Sequence, residues 1–413
     1  MTNAVEHPDQ NDPIVRLPLP TDGPLDPPPE WELLRARCPV ATVELPSGDT
    51  GTLLTRYDHV KALLSDPRFS RPAPEDDSAR IAPEGAGGVS TNSGMSLSLQ
   101  SRGEGHQRWR RHMGKYFTAR RVTALRPGME EMAEALIDAM VESGSPADLK
   151  AALGFPLPVY VICDLLGAPA EDRDRFSYWS DAFLNVSRYS GAETRAAHED
   201  FVTYMSELIA AKRAEPGEDL ISTLIEESRA EGEGLTDPEL RDTGMALLVA
   251  GHETTANMIG KMVAMLLADR TRWDSLLADP SLIRTAVDEV LRSDANLGGY
   301  GVRRYLTEDY EVDGAVLPGG TTVFCGLSAA NRDERAFADP DGMDLTRSPN
   351  PHLTFGAGAH SCLGQSLART ELQVVLKALL HKLPSLDLAV PVARLRQIEG
   401  LTVGGLREVP VRW

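Results

Sequence analysis

The sequence predicts a mainly α-helical protein with small β-sheets, an α+β chain built around one long buried helix. Three observations predict this class. Apolar residues recur at helical spacing through most of the stretch from about Glu104 to Leu383. Short strand-like runs stand apart from those helices, near the N-terminus and after Arg304. The segment from about Asp237 to Asp269 is apolar nearly all round, so its helix should cross the protein interior.

The elements follow in chain order. Residues 1–29 are rich in Pro and Asp and read as an extended arm, ordered near Trp31. ATVEL and GTLLTR read as strands and DHVKALLSD as a helix. Residues 72–96 form a long Gly-, Ser-, Ala- and Pro-rich loop, a pattern of functional lids or disordered segments. MEEMAEALIDAMVES and HEDFVTYMSELIAAKR carry helical spacing. Asp237 and Pro238 make a cap and first turn for the long helix. His252, Glu253, Thr254 and Thr255 sit in its middle, where polar groups are costly unless satisfied or used. After Arg304, DYEVDGAVLP and TTVFCGL read as strands. NRDERAFADPDGMDLTRSPNPH reads as irregular, and a last long helix begins near Cys362. With no repeat and no linker to divide it, the chain from residue 30 to residue 413 is expected to be a single domain.

Composition narrows the function. A chain of 413 residues with 42% hydrophobic and 25% charged residues can bury a large core and a cofactor. A net charge of −19 argues against nucleic acid as the main partner, because phosphate binding needs a concentrated basic surface. It argues equally against attraction to anionic membranes. No apolar window approaches the roughly 20 residues of a membrane span, and the first residues carry no apolar signal core, so a cytoplasmic protein is expected. Cys38, Cys163, Cys325 and Cys362 lie far apart without a CxxC pair, so neither disulfides nor a structural zinc site is expected.

The chemistry concentrates in PHLTFGAGAHSCLGQSLAR. Within it Phe355, Gly356, Gly358, His360, Cys362 and Gly364 stand as FGxGxHxCxG. Glycines before the cysteine permit tight turns and close approach of backbone to a flat ligand. The cysteine falls near a helix start, where N–H groups stabilise a thiolate and tune a metal bound to it. Two other readings exist for Cys362: an inert buried thiol, or a nucleophile with His360 as its base. The six-residue pattern weighs against the first. Positions two apart on a loop do not by themselves give the geometry of the second.

With this segment the chain resembles the cytochrome P450 family, in its soluble bacterial, actinomycete-like class. The resemblance implies the fold of that family, with the long central helix crossing the haem. It makes the segment the haem-binding loop and Cys362 the proximal iron ligand. Three further motifs stand in the family order. Ala250-Gly251-His252-Glu253-Thr254 resembles the oxygen-activation motif. Gly251 removes bulk beside a ligand, while Glu253 and Thr254 form an acid–alcohol pair able to deliver protons. Thr254 could equally bond back to the preceding turn. Glu289 and Arg292 form the ExxR pair, 73 residues before Cys362, sharing one helix face. The resemblance makes this pair structural, with Arg347 of DLTR as its third member. His106 and Arg110 resemble the HxxxR segment; with Arg304 and His360 they are candidates to pair with the haem propionates. Arg304 is preferred to Arg303 because it lies five residues before Asp309. The resemblance runs from about residue 30 to the C-terminus. It departs at SDANLGGYGV, where the family commonly has a proline-containing stretch.

The implied cofactor is haem b. The implied activity is monooxygenation of a small organic molecule, as in hydroxylation of a secondary metabolite. Oxidative coupling without oxygen insertion is the alternative, and a non-catalytic haem carrier or sensor is a more distant one. The implied partners are the small-molecule substrate and, for electrons, a ferredoxin with its reductase, acting on a monomer. Arg110, Arg111, Lys115 and Arg369 are the expected docking face. Substrate contacts are expected from residues 75–100, residues 180–190, the helix face near Met245, Leu248 and Val249, and residues 294–300.

Overall fold

A computed structural model describes residues 14–83, 85–86, 102–231, 234–294 and 299–413. Strand and helix alternate at first: β1 (Val15–Arg16), α1 (Glu30–Arg37), β2 (Val40–Glu44), β3 (Thr50–Leu54) and α2 (Tyr57–Ser65). Then come α3 (Gly103–Gly114), α4 (Ala119–Ser143), β4 (Ala147–Asp148), α5 (Pro156–Leu166), α6 (Arg173–Phe183), α7 (Gly191–Ala214) and α8 (Leu220–Glu231). The long α9 (Asp237–Leu267) leads to α10 (Arg270–Ala278) and α11 (Ile283–Ser293). Strands β5 (Val302–Tyr305), β6 (Tyr310–Val312), β7 (Ala315–Leu317) and β8 (Thr322–Cys325) precede α12 (Leu327–Ala330) and α13 (Gln365–Lys382). Finally, β9 (Asp387–Leu388) and β10 (Pro410–Arg412) form a small sheet with β4.

The main sheet has the order β1-β2-β3-β8-β5. Strands β2 and β3 pair antiparallel, β3 and β8 parallel, and β8 and β5 antiparallel. This register brings the N-terminal hairpin beside residues some 270 positions later, through pairs such as Leu53 with Phe324. The arm read as extended is partly built into the sheet. Its β1 pairs with β2, and Leu17 behind it is buried. β6 and β7 form a hairpin whose turn residues, Asp313 and Gly314, both have positive φ, as a two-residue turn matched to strand twist requires.

Helix α9 organises the interior. Its cap is Thr236, one residue before the expected Asp237. The Thr236 side chain accepts from the Glu239 amide, and the Glu239 carboxylate accepts from the Thr236 amide at 2.8 Å. This reciprocal T-x-x-E arrangement satisfies two donors that the helix start leaves open. At 31 residues, the helix is about 46 Å long. From Leu240 to Val249 its side chains join an apolar cluster built with α5, α6, α7 and α8. From Met258 onward they join a second cluster with α4, α11 and α13. The polar run His252–Thr255 thus lies at the seam between two apolar cores. Among the described residues, no helix is long and apolar enough to cross a membrane.

Candidate active site

The cysteine loop is shaped by its glycines. Gly356 and Gly358 have φ of 68° and 70°, in the left-handed region. A Cβ on Gly358 would lie 2.5 Å from the Leu64 carbonyl oxygen, so α2 packs on the loop only because that position is bare. The turn closes through a hydrogen bond from the Cys362 amide to the Phe355 carbonyl at 2.8 Å. Beneath it, the Phe355 ring lies 4.4 Å from the Arg369 guanidinium. Helix α13 starts at Gln365 after Gly364, and the Gly364 N–H hydrogen-bonds Cys362.

Cys362 combines two properties that conflict unless it faces an internal space. It is the exposed one of the four cysteines, yet protein surrounds it closely enough for burial to push its thiol pKa up. The Gly364 N–H and the charges of Arg71, Arg110 and Arg369 oppose that rise. An open sulfur inside the protein, under a helix N-terminus and beside fixed cations, is chemically suited to hold a metal as thiolate.

A cationic cluster shares this interior. The His106 and His360 rings stack with centroids 4.1 Å apart. Burial pushes His360 down to about 3, helped by His106, Arg304, Arg71 and Arg110. Burial also lowers His106, again with Arg110, Arg71 and Arg304 adding repulsion. Arg110 donates to the Ser361 carbonyl at 3.0 Å, which ties α3 to the cysteine loop. Arg304 is 1% exposed, and its buried Nε has no hydrogen-bond partner among the described residues. Burial lowers Arg304 to about 10, with repulsion from Arg71. Arg303, beside it on β5, donates to the Ala79 carbonyl at 3.3 Å. Its pKa is lowered by burial and by Arg71, and no histidine of the cluster feels its charge. Cations gathered inside a protein and repelling one another call for an anionic ligand. Haem, with a carboxylate on each of two arms, fits that demand.

From Asp242 onward the positions of α9 left open are Ala246, Ala250, Gly251 and Thr254, in an otherwise buried stretch. Three of them stand at i, i+4 and i+8, so they form one line along the helix. The expected pocket face near Met245, Leu248 and Val249 is a correction: these three pack in the apolar cluster with α6 and α7. Gly251 also plays a different part from the one expected. Its missing Cβ points at Ile162 of α5, 2.9 Å away, so its bareness serves helix packing. The Thr254 hydroxyl donates to the Ala250 carbonyl at 2.9 Å. Glu253 is turned toward Asn257, whose amide donates to it at 2.9 Å. His252 is fully buried, with its Nδ1 2.7 Å from the Leu248 carbonyl and its Nε2 3.6 Å from Glu253.

Glu289 and Arg292 are both fully buried and pair through two 2.8 Å hydrogen bonds. Arg347 donates to the same carboxylate at 3.0 Å and reaches the Ala338 and Asp339 carbonyls. Arg292 also donates to the carbonyls of Asn331, Pro340 and Gly342. The pair thus pins the irregular segment 331–347, which leads into the cysteine loop, against α11.

The expected docking residues divide. Arg110 points inward, Arg369 bonds Asp288 at 2.8 Å, and Lys115 pairs with Glu227 at 3.5 Å. Arg111 is exposed, as is Arg120 nearby. Asn185, within the expected substrate segment 180–190, spends its amide on the Tyr189 carbonyl and on the Arg188 and Tyr189 amides, holding a turn. Of the other expected substrate segments, residues 84, 87–100 and 295–298 lie outside the described residues. Nothing in the local sequence of Arg71, Lys150 or Asn257 marks them as inward-facing, whereas Asp181 lies in the expected segment 180–190. Lys150, whose Nζ donates to the Leu406 carbonyl at 2.8 Å, feels the charges of Glu253 and Asp181.

The family model described as Cytochrome P450 matches residues 274–386. The chain is 42% identical to nocardicin C N-oxygenase of Nocardia uniformis subsp. tsuyamanensis, over 94% of this chain and 96% of that one. It is 42% identical to mycinamicin IV hydroxylase/epoxidase of Micromonospora griseorubida, covering 91% and 92% of the two chains. Among solved structures, the putative thioether synthase SgvP, described as involved in the tailoring step of griseoviridin, superposes with a TM-score of 0.91. It shares 37% identity, covering 97% of this chain and all of that one.

Proposed function

The chain belongs to the cytochrome P450 family, and from that premise we propose a haem-thiolate monooxygenase that tailors a secondary metabolite by hydroxylation, with haem b held through Cys362. The observation that carries this reading is the Cys362 sulfur, open within the protein beside Arg71 and Arg110, for which no carboxylate partner occurs among the described residues. The haem, when bound, supplies O2 activation for insertion of one oxygen atom into the substrate.

The residues around it divide the remaining work. Cys362 donates thiolate electron density, and the Gly364 N–H holds the sulfur in place and moderates that donation. Arg110, Arg304, His106 and His360 would hold the cofactor's propionates, and Phe355 and Gly356 shape the cysteine loop. Thr254, on the open line of α9, would hold a proton at its hydroxyl for the chemistry the haem would supply. Glu253 is the buried carboxyl that resupplies it, linked outward by charge to Lys150 and Asp181. The ion-pair knot of Glu289, Arg292 and Arg347 fixes the cysteine loop without touching the reaction.

Electrons come from a redox partner, which we take to be a ferredoxin with its reductase. It docks near exposed Arg111 and Arg120. The reading treats residues 30–413 as one catalytic domain, acting as a monomer in the cytoplasm. Names of relatives support oxygen insertion: one is an N-oxygenase and another a hydroxylase/epoxidase. A second reading, oxidative coupling, draws on the thioether synthase. Product mass separates them. Hydroxylation adds one oxygen atom, labelled when labelled O2 is supplied. Coupling removes hydrogens and carries no label.

A further inference from the structure

The interior holds more positive charge than a haem would neutralise. Arg71, Arg110, Arg303 and Arg304 bring four guanidinium groups into one region, where Arg71 raises the cost of charge on Arg303 and Arg304 and feels Arg110. Haem presents two propionates, and the thiolate of Cys362 balances the charge left on a ferric centre. Arg110 and Arg304, with the two histidines, account for the propionates.

Arg71 is the surplus group. Tyr305 donates to the Ser70 carbonyl at 3.0 Å, and an isolated antiparallel bridge joins those two residues. Arg71 therefore leaves the backbone beside Arg304. Its side chain is exposed, as that of Cys362 is, yet surrounding protein lowers its pKa, and it feels the charge of that cysteine. Both side chains thus border the same internal space. No hydrogen bond or ion pair to the Arg71 guanidinium occurs among the described residues. The acids closest to it in the chain are committed elsewhere: Asp66 to Arg68 at 2.7 Å, and Glu75 and Asp76 to Arg102 at 2.7 and 3.1 Å.

We propose that Arg71 binds a carboxylate, or an equivalent single anion, on the substrate, so that the enzyme acts on an organic acid. The inference rests on the haem-thiolate reading. A desolvated guanidinium presents a planar fork that matches a carboxylate, and a neutral isostere would leave it unpaired. That asymmetry gives an acid its advantage over the matching amide.

The test uses haem-replete protein and a series of arylalkanoic acids of increasing size, each with its primary amide. Binding is read as perturbation of the haem absorbance, without turnover. The expected result is an acid that binds at least about tenfold tighter than its amide. That preference should disappear in Arg71→Gln and survive in part in Arg71→Lys, with haem content unchanged in both. The inference is overturned if no acid binds better than its amide, or if Arg71→Gln keeps the preference. It is overturned too if Arg71→Gln loses haem, since Arg71 then serves a propionate. Wild-type protein that takes up no haem overturns the haem-thiolate reading itself, a failure visible before any acid is added.

Discussion

At the scale of single residues, the site separates groups that act from groups that hold. Thr254 has its hydroxyl anchored on Ala250 but open to the interior. Replacing it by Ala removes the proton-bearing oxygen and little else. Product formed per electron pair consumed should fall roughly tenfold or more, while Thr254→Ser should retain most of it. Measuring product against electron-donor consumption checks this, and an unchanged ratio would remove Thr254 from proton delivery. Asp181 offers a pH test. It bonds Arg188 at 2.6 Å and lies near Tyr189. Burial and the Glu253 charge raise its pKa to about 6, against the opposing pull of Arg188 and Lys150. A carboxyl with a raised folded pKa stabilises the fold below its unfolded pKa near 4, and that stability is lost as pH rises through about 6. The contribution of this group should therefore decline across this window, by at most about 3 kcal/mol. Asp181→Asn should flatten the decline in denaturant titrations at several pH values. Residues in the FGxGxHxCxG motif were legible because their chemistry is written in spacing. Arg71 and Lys150 were not, because only tertiary folding makes them inward-facing.

Among elements, legibility followed periodicity. The long helix was read to within a residue or two at each end, and its true cap, Thr236, stood in the sequence as T-x-x-E. Its pocket face was misread. Met245, Leu248 and Val249 are the bulky residues, but bulk marks the packed side. The open side is marked by Ala246, Ala250 and Thr254, whose smallness leaves room. Strands β4, β9 and β10 went unread, since two or three residues carry no alternation. The ExxR knot makes a prediction at this scale. Glu289, itself fully buried, accepts from Arg292, Arg347, Asn350 and the Asp344 amide. Glu289→Gln leaves two guanidinium groups without their counter-charge, which typically costs about 3–5 kcal/mol. Thermal unfolding should show that loss together with reduced haem retention. A melting temperature within a degree or two of wild type would mean the knot is dispensable.

Across the whole molecule, charge and apolarity are arranged in opposite senses. The chain carries a net charge of −19, yet its interior gathers arginines and histidines around an open cysteine. Two apolar cores meet along α9, and the polar run of that helix falls at their seam. Such an interior is costly alone and becomes favourable with an anionic, metal-bearing ligand inside. The account therefore turns on whether Cys362 holds haem iron as a thiolate. The absorbance spectrum of purified, reduced protein under carbon monoxide tests this most directly. The account predicts a Soret band at the long wavelength typical of thiolate-ligated haem, lost in Cys362→Ala. A haem band without that shift, or no haem uptake after reconstitution, would contradict it.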